Sequence, residues 1–201
     1  MKFSIPSEAL KHFKKHDSVL YNFILSSEKI NRTINSNYFD ELVRSIIYQQ
    51  VSLKAGETIY NRLSNMIDIN PEEILKTDRN KLQSVGISFR KVDYLKNLSE
   101  KVVTKELNLD IIDTLSDEDI IKMIIKVKGL GVWSAEMFLM FSLGRLDVSS
   151  YNDLAIKRGI QKLYKLNDYP SKEEFTEFTS TWSPYNTVAS FYLWEASKKD
   201  A

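Results

Sequence analysis

The chain has 201 residues, a hydrophobic share of 43% and a formal net charge of +1. This length and apolar content suit one ordinary domain, or two small lobes, with a sizeable buried core. The absence of cysteine excludes disulfides, thiolate zinc sites and iron–sulfur clusters. Neither an apolar run near the ~18 residues of a membrane span nor the apolar stretch of a signal peptide is present, so we expect no membrane partner.

Helical patterns follow one another along the whole chain, and no alternation typical of strands interrupts them. The first clear amphipathic stripe has the spacing of a helix. It consists of Phe39, Leu42, Val43, Ile46 and Ile47. Helix starts are indicated by Asn70 before Pro71, and by Ser116 and Ser171, each three positions before an acid. These signals predict an all-α protein of about ten helices.

Residues 127–133 join two of these predicted helices and contain Gly129 and Gly131, one residue apart. Glycine at both positions allows a backbone φ above zero and exposes bare N–H groups. The following helix adds the partial positive charge of its N-terminus. The turn therefore predicts a seat for an anion, which on nucleic acid is a phosphate. Residues 126–165 carry seven bases and three acids, which fits either a basic DNA-facing surface or an ordinary solvated one.

Asp153 lies twenty residues beyond Trp133, at the predicted start of a helix over 154–164. A carboxylate that follows a phosphate seat indicates chemistry beside a bound nucleic-acid backbone. Aspartate is also the residue type that commonly caps a helix N-terminus. The residues alone leave both roles open.

Four motifs, in order, resemble the helix–hairpin–helix DNA glycosylase superfamily and, within it, the AlkA-like DNA-3-methyladenine glycosylase branch. The central motif is the glycine hairpin followed by Asp153. The other three are residues 45–52, residues 86–91, and residues 182–185 followed by Trp194. The resemblance runs from about Pro6 to Trp194. Asn186 departs from the family pattern, because an arginine is common at this position. The departure predicts the loss of one DNA or structural contact.

The resemblance implies an all-α, two-lobed helix–hairpin–helix glycosylase fold with the active site in the cleft between the lobes. A single glycosylase domain is expected over 1–201. Lobe one is expected over 38–148 as a helical barrel that contains the hairpin 127–131. Lobe two is expected to combine 1–37 with 149–201, which would put Asp153 at the junction.

The resemblance also implies a monofunctional DNA glycosylase of base excision repair. Such an enzyme flips a damaged nucleotide out of the duplex and hydrolyses the N-glycosidic bond of an alkylated purine, here of the 3-methyladenine type. Loss of the base leaves an oxocarbenium-like sugar, so a fixed negative charge beside C1′ is needed, and Asp153 is expected to supply it. Trp133 stands where relatives that also nick the backbone carry a Schiff-base lysine. No lyase step through a lysine imine is therefore expected.

Further site residues follow from the same resemblance. The substrate pocket, where aromatic rings would stack on a cationic base, is expected to comprise Trp133, Met137, Tyr151, Leu154 and Trp194. The expected DNA contacts are Gln49, Gln50, Ser52, Arg90, Lys128, Gly129, Gly131 and Lys157. The alternative to a pocket role for Trp194 is that it is a buried core residue. Gln49 and Gln50 stand where the family inserts its wedge into the duplex, and a polar helix end without a ligand is the alternative for them.

No cofactor is expected to be required. The carbonyls of Ile125, Val127 and Leu130 are the ones expected to hold a structural Na⁺ or K⁺ at the hairpin. The expected partner is double-stranded DNA with damaged bases, bound by a monomer, in the cytoplasm near the nucleoid of a prokaryote or in the nucleus of a eukaryote. Two alternatives stay open: a non-catalytic helix–hairpin–helix DNA-binding protein, and a glycosylase for deaminated or oxidised bases.

Overall fold

A computed structural model describes residues 2–198, which form twelve α-helices, one 3₁₀ turn and a single isolated β-bridge between Lys2 and Thr33. The first six helices are α1 Ser7–His16, α2 Ser18–Ser26, α3 Tyr38–Tyr48, α4 Leu53–Met66, α5 Pro71–Lys76 and α6 Arg79–Gln83. The others are α7 Phe89–Val103, α8 Asp117–Ile124, α9 Val132–Phe141, α10 Leu154–Tyr164, α11 Lys172–Trp182 and α12 Asn186–Lys198, and the 3₁₀ turn is Ile112–Thr114. The all-α prediction is confirmed. Within this part of the chain, none of the helices has both the length and the apolar character that crossing a membrane requires.

The predicted helix starts are confirmed by their capping hydrogen bonds. The side chain of Asn70 accepts from the amide of Glu73, with Pro71 at the first position of α5. Ser116 caps α8, and Ser171 forms a reciprocal capping box with Glu174 at the start of α11. There are more helices than predicted partly because α6, with five residues, is too short to show a periodic stripe.

The chain divides into two compact units. The central unit is Asn35–Phe138, and the terminal unit combines the residues up to Ile34 with those from Leu139 onward. One continuous segment between two flanking ones is the pattern that was predicted. The second boundary falls within α9, however, rather than after Val148.

Residues 145–148 are held in the terminal unit by hydrogen bonds to residues 183–187, at and just before the start of α12. The amide of Thr187 donates to the carbonyl of Leu146 over 2.9 Å, and the amide of Val148 donates to the Thr187 hydroxyl over 3.0 Å. Asp147 accepts from Ser183 Oγ at 2.7 Å and from Asn186 Nδ2 at 2.6 Å. Asn186, where the family commonly has arginine, is therefore a buried structural residue in this chain.

In the central unit, α7 packs against α3, α5 and α6. Ile46 and Ile47 of α3 and Leu95 and Leu98 of α7 are fully buried. Each such side chain stabilises the fold by about 1.5–3 kcal/mol relative to an exposed one. The position of α7 is therefore fixed by the core, and its polar side chains are held with it.

In the terminal unit, α10 packs closely against α12 because Gly159 has no side chain. A Cβ atom at this position would lie 2.8 Å from the carbonyl carbon of Leu193 and closer still to its oxygen. The far end of α10 is held by Tyr164, whose hydroxyl donates to the buried carboxylate of Asp17, as does Trp182 Nε1 at 2.7 Å. These contacts fix the helix whose N-terminus is capped by Asp153.

Candidate active site

Asp153 caps the N-terminus of α10, and the capping interpretation of this residue is confirmed. Its Oδ1 accepts from the amides of Ala155 at 2.9 Å and Ile156 at 3.0 Å. The residue is only 9% exposed, and its own amide donates to the carbonyl of Ser150 at 3.2 Å. Both cap bonds go to one oxygen, so they fix the direction of the carboxylate. A cap of this kind is compatible with a catalytic role, because it holds a charged group rigidly at the partly positive end of a helix.

Tyr151 and Lys157 lie together beside this cap. The Lys157 ammonium stands 4.6 Å from the centre of the Tyr151 ring, and the edge of that ring meets Phe175 with centroids 5.4 Å apart. Cation–π contacts of this geometry contribute about 0.5–1 kcal/mol at exposed sites. Leu154, the first residue of α10, is exposed. The predicted pocket residue Tyr151 and the predicted DNA contact Lys157 thus form one local cluster.

Trp194 belongs to an aromatic cluster of the terminal unit. Its ring stacks on Phe191 and Phe141, with centroids 5.7 and 5.8 Å apart. The guanidinium of Arg32 lies 6.0 Å from the same ring. Trp194 is half-buried, so it is a packing residue, and the stacking of a damaged base on it stays a prediction.

The remaining predicted site residues lie in the central unit. Trp133 and Met137 are one turn apart on α9 and share one face of that helix. Trp133 is 43% exposed and Met137 is half-buried. An aromatic ring and a flexible thioether on one face suit contact with a planar base.

The two hairpin glycines have different roles. Gly129 has φ +85°, and a Cβ atom there would meet the Tyr94 ring, 2.6 Å from its Cγ. Gly131 is not left-handed, and a Cβ there would have no atom within 4 Å. The expectation of positive φ at both glycines is therefore wrong for Gly131, which directly precedes the regular backbone of α9. The open space around Gly131 instead allows the close approach of a ligand's backbone.

The backbone groups of the hairpin are partly used within the protein. The amide of Lys128 donates to Asn97 Oδ1 at 2.9 Å, so this residue can contact DNA only through its exposed side chain. The amide of Leu130 donates to the carbonyl of Val127 at 3.1 Å. A carbonyl oxygen has two lone pairs, so Val127 can still join Ile125 and Leu130 in a set of neutral oxygens that suits a monovalent cation.

The two adjacent glutamines at the end of α3 have different surroundings in the structure. Gln49 Nε2 donates to the carbonyl of Gly129 at 2.7 Å, so this amide contacts the hairpin. Gln50 is exposed and has a left-handed backbone with φ 57°. Ser52, two residues on, caps α4 by accepting from the amide of Ala55 at 3.3 Å. Of the two, Gln50 is the one that projects from the turn.

Three side chains of α7 that the sequence analysis did not single out contact these segments. Lys91 Nζ donates to the carbonyls of Ile47 and Gln49, both at 2.7 Å, and burial lowers the pKa of this lysine. The other two are Tyr94 and Asn97. A cavity of about 210 Å³ is lined by Gln49, Gln50, Arg90, Lys91, Tyr94 and Gly129. In the sequence, these three residues are marked by their spacing of three positions along one helix. That spacing does not predict which segments their side chains contact.

Comparison with known proteins gives a consistent result. A sequence profile of the HhH-GPD superfamily of base excision DNA repair proteins matches residues 43–184, which include the hairpin and Asp153. DNA-3-methyladenine glycosylase 1 of Schizosaccharomyces pombe is 34% identical over 165 residues, covering 80% of this chain and 72% of that protein. The solved DNA-3-methyladenine glycosidase of Bacillus halodurans aligns with a TM-score of 0.89 and 34% identity, over 99% of this chain and 93% of that one. The Schizosaccharomyces pombe 3-methyladenine DNA glycosylase in complex with abasic DNA aligns with a TM-score of 0.82 and 31% identity, over 96% and 98%.

Proposed function

The chain belongs to the HhH-GPD superfamily of base excision DNA repair proteins, and we propose that it is a monofunctional DNA glycosylase that releases alkylated purines of the 3-methyladenine type. The similarity to the Bacillus halodurans glycosidase over 99% of the chain carries this proposal. The buried carboxylate of Asp153, fixed at a helix N-terminus, supports it independently. The substrate is double-stranded DNA with a damaged base, bound by a monomer.

The reaction needs a negative charge that does not move. As the C1′–N bond breaks, the base leaves with the electron pair and the sugar becomes oxocarbenium-like. A water molecule then adds at C1′ and releases a proton to the solvent, which leaves the neutral abasic sugar. Asp153 stabilises the developing positive charge electrostatically. Its two cap hydrogen bonds hold the carboxylate in place before the reaction, so little reorganisation is required. The low exposure of the residue reduces screening by water.

The products are a free base and an intact abasic site. A backbone nick by β-elimination would need a lysine amine that forms an imine with C1′. Trp133 occupies the position where the lyase branch carries that lysine. The nearby Lys126 and Lys128 precede the hairpin glycines, and Lys128 contacts a phosphate through its side chain.

DNA is bound by backbone amides and by basic side chains. The amides of Gly129, Gly131 and Trp133 contact a phosphate at the hairpin, and Lys128, Arg90 and Lys157 add positive charge. A Na⁺ or K⁺ on the carbonyls of Ile125, Val127 and Leu130 would bring further positive charge to the same phosphate. Gln50 is the wedge that fills the space of the flipped nucleotide.

Release of bases from methylated DNA tests the proposal. Duplex DNA methylated at purines is incubated with the protein, and the freed bases are separated by chromatography. Release of 3-methyladenine or 7-methylguanine supports the proposal. Binding without release would indicate a non-catalytic DNA-binding protein. Release only from deaminated or oxidised DNA would indicate a glycosylase for those bases.

Asp153→Asn tests the catalytic carboxylate. Asparagine is an equally good N-cap, so this variant keeps the helix start and removes only the charge. We expect the single-turnover excision rate to fall by about 100-fold or more, with the unfolding temperature and the affinity for duplex DNA nearly unchanged. Excision at the wild-type rate would show that Asp153 is a cap and nothing more.

A further inference from the structure

Lys91 forms a side-chain cap at the C-terminus of α3. The last carbonyls of a helix have no partner within the helix. Here the Lys91 ammonium donates to two of them, those of Ile47 and Gln49, both at 2.7 Å. Charge-assisted hydrogen bonds of this kind are roughly twice as strong as neutral ones. The chain direction at the end of α3 is thereby set by a residue of α7.

The wedge turn, residues 49–52, begins at this cap. Gln49 is the C-cap residue of α3, and Gln50 has a left-handed backbone, φ 57°, which is uncommon for a residue with a side chain. The ammonium that holds the carbonyl of Gln49 is adjacent to this left-handed residue. The direction in which Gln50 projects therefore depends on Lys91.

The same face of α7 holds the hairpin. The ring of Tyr94 lies against Gly129 so closely that no side chain fits there, and Asn97 Oδ1 accepts from the amide of Lys128 at 2.9 Å. A hydrogen bond from Gln49 Nε2 to the carbonyl of Gly129, 2.7 Å long, then joins the wedge turn directly to the hairpin. The wedge turn, α7 and the hairpin thus form a closed set of contacts within the central unit.

We propose that α7 fixes the register between the wedge turn and the phosphate-binding hairpin, and that Lys91 is a positioning residue for the wedge Gln50. The inference rests on the proposed function, because a wedge has a task only in an enzyme that flips nucleotides from a duplex. Lys91 reaches neither the base nor the sugar in this role. It acts through the backbone of residue 49, and so it affects the cost of opening the base pair rather than the cleavage of the glycosidic bond.

Lys96 provides a matched control on the same helix. Its ammonium donates to the carbonyls of Leu75 and Thr77, both at 2.6 Å, at the C-terminus of α5. Thr77 is the C-cap residue of α5 as Gln49 is of α3, and burial lowers the pKa of Lys96 as it does that of Lys91. The two lysines therefore make the same kind of cap, but only the cap made by Lys91 adjoins the wedge turn.

The experiment compares Lys91→Met with Lys96→Met on two duplexes. Each duplex carries one 7-methylguanine, opposite cytosine in the first and opposite an abasic site in the second, where no base pair has to be broken. We expect Lys91→Met to slow single-turnover excision from the paired duplex about tenfold, equivalent to about 1.4 kcal/mol, and to have little effect on the unpaired one. Lys96→Met should lower the unfolding temperature to a similar extent and leave the ratio of the two rates at the wild-type value.

A double-mutant cycle tests whether Lys91 acts through the wedge. In a Gln50→Ala background, Lys91→Met should cause no further loss on the paired duplex, because residues that act as a unit are not additive. The proposal is overturned if Lys91→Met slows both duplexes equally, or if its effect multiplies with that of Gln50→Ala. Should Lys91→Met not fold, Gln49→Met breaks the link to Gly129 without touching the cap and is expected to give the same selective loss.

Failure of the proposed function would be recognised separately. If the wild-type protein releases no base, the activity proposal fails, and the positioning role is judged by binding alone. The probes are the two 7-methylguanine duplexes, whose affinities for the protein are compared. Lys91→Met should then lose about tenfold in affinity for the paired duplex relative to the unpaired one, whereas an unchanged ratio of the two affinities would refute the role of Lys91.

Discussion

Gly159→Ala is expected to damage both stability and catalysis, although Gly159 is not itself a predicted site residue. The new Cβ atom would lie 2.8 Å from the Leu193 carbonyl carbon, whereas ordinary contact begins at 3.4 Å. The helices α10 and α12 must therefore separate by at least about 0.6 Å, which is 3.4 minus 2.8. The opposing atoms are backbone, so no side-chain rotation can relieve the contact.

The magnitude follows from two opposing effects. Overpacking of a core costs about 1–3 kcal/mol, and a clash with rigid backbone belongs at the upper end. Alanine recovers about 1 kcal/mol through its higher helix propensity. The net destabilisation is about 2 kcal/mol, and for a protein of this size it lowers the unfolding temperature by about 4–8 °C.

The catalytic effect arises because Asp153 caps the N-terminus of α10. A displacement of about 1 Å at a reacting group can reduce a rate about 100-fold, so a shift of about half that size is expected to slow excision about tenfold. The assay is single-turnover release of 7-methylguanine, with thermal unfolding measured on the same samples. Gly131→Ala is the control for stability, because its Cβ would meet nothing within 4 Å; its unfolding temperature should stay near that of the wild type. The packing argument is refuted if Gly159→Ala unfolds and excises like the wild type.

Two further predictions concern the hairpin and the contact of Tyr164 with Asp17. Gly129→Ala should destabilise the protein by about 2–4 kcal/mol, because alanine overpacks against Tyr94 and is unfavourable in the left-handed backbone. It should also weaken binding to all duplexes. Denaturant unfolding and titration with undamaged DNA measure the two effects, and wild-type values for both would contradict the prediction. Burial raises the pKa of Tyr164 above its ordinary 10.0. Its contribution to stability is therefore fully present below about pH 10 and is lost as the pH rises further, since the unfolded tyrosine ionises while the folded one keeps its proton. Tyr164→Phe should lower the free energy of unfolding by about 1–2 kcal/mol at neutral pH. It should also reduce the loss of stability with rising pH, which urea unfolding between about pH 8 and 11 would measure. An unchanged pH dependence of stability would contradict this role of Tyr164.

The sequence predicted those features that depend on local chemistry. Capping residues such as Ser116 and Ser171 act on amides three positions away, so their patterns predicted helix starts correctly. The glycine hairpin, Asp153 and the three other motifs identified the glycosylase family correctly, because motifs of fixed spacing keep their meaning without knowledge of the packing. The function implied by that family was predicted in the same way.

The features that were missed depend on which helices meet. The sequence gives no sign that α12 holds residues 145–148, because the bond between Thr187 and Val148 joins residues 39 positions apart. Nor does it distinguish Gln49 from Gln50, since the difference arises from a contact with Gly129, 80 positions away. The two hairpin glycines looked equivalent for the same reason, because the packing of Tyr94 and the left-handed backbone that distinguish Gly129 from Gly131 are not visible in the sequence.

The two units hold their site residues by different physical means, and this difference predicts different kinetic effects. In the terminal unit, Asp153 is fixed by a helix whose position depends on a backbone contact at Gly159. In the central unit, the wedge turn and the hairpin are fixed by hydrogen bonds from Lys91, Gln49 and Asn97. Gly159→Ala should therefore slow the unpaired and the paired lesion alike, because the bond-breaking step is impaired on both. Lys91→Met should slow only the paired lesion, because it impairs the opening of the base pair. The ratio of the two rates thus separates a displaced carboxylate from a displaced wedge within one assay.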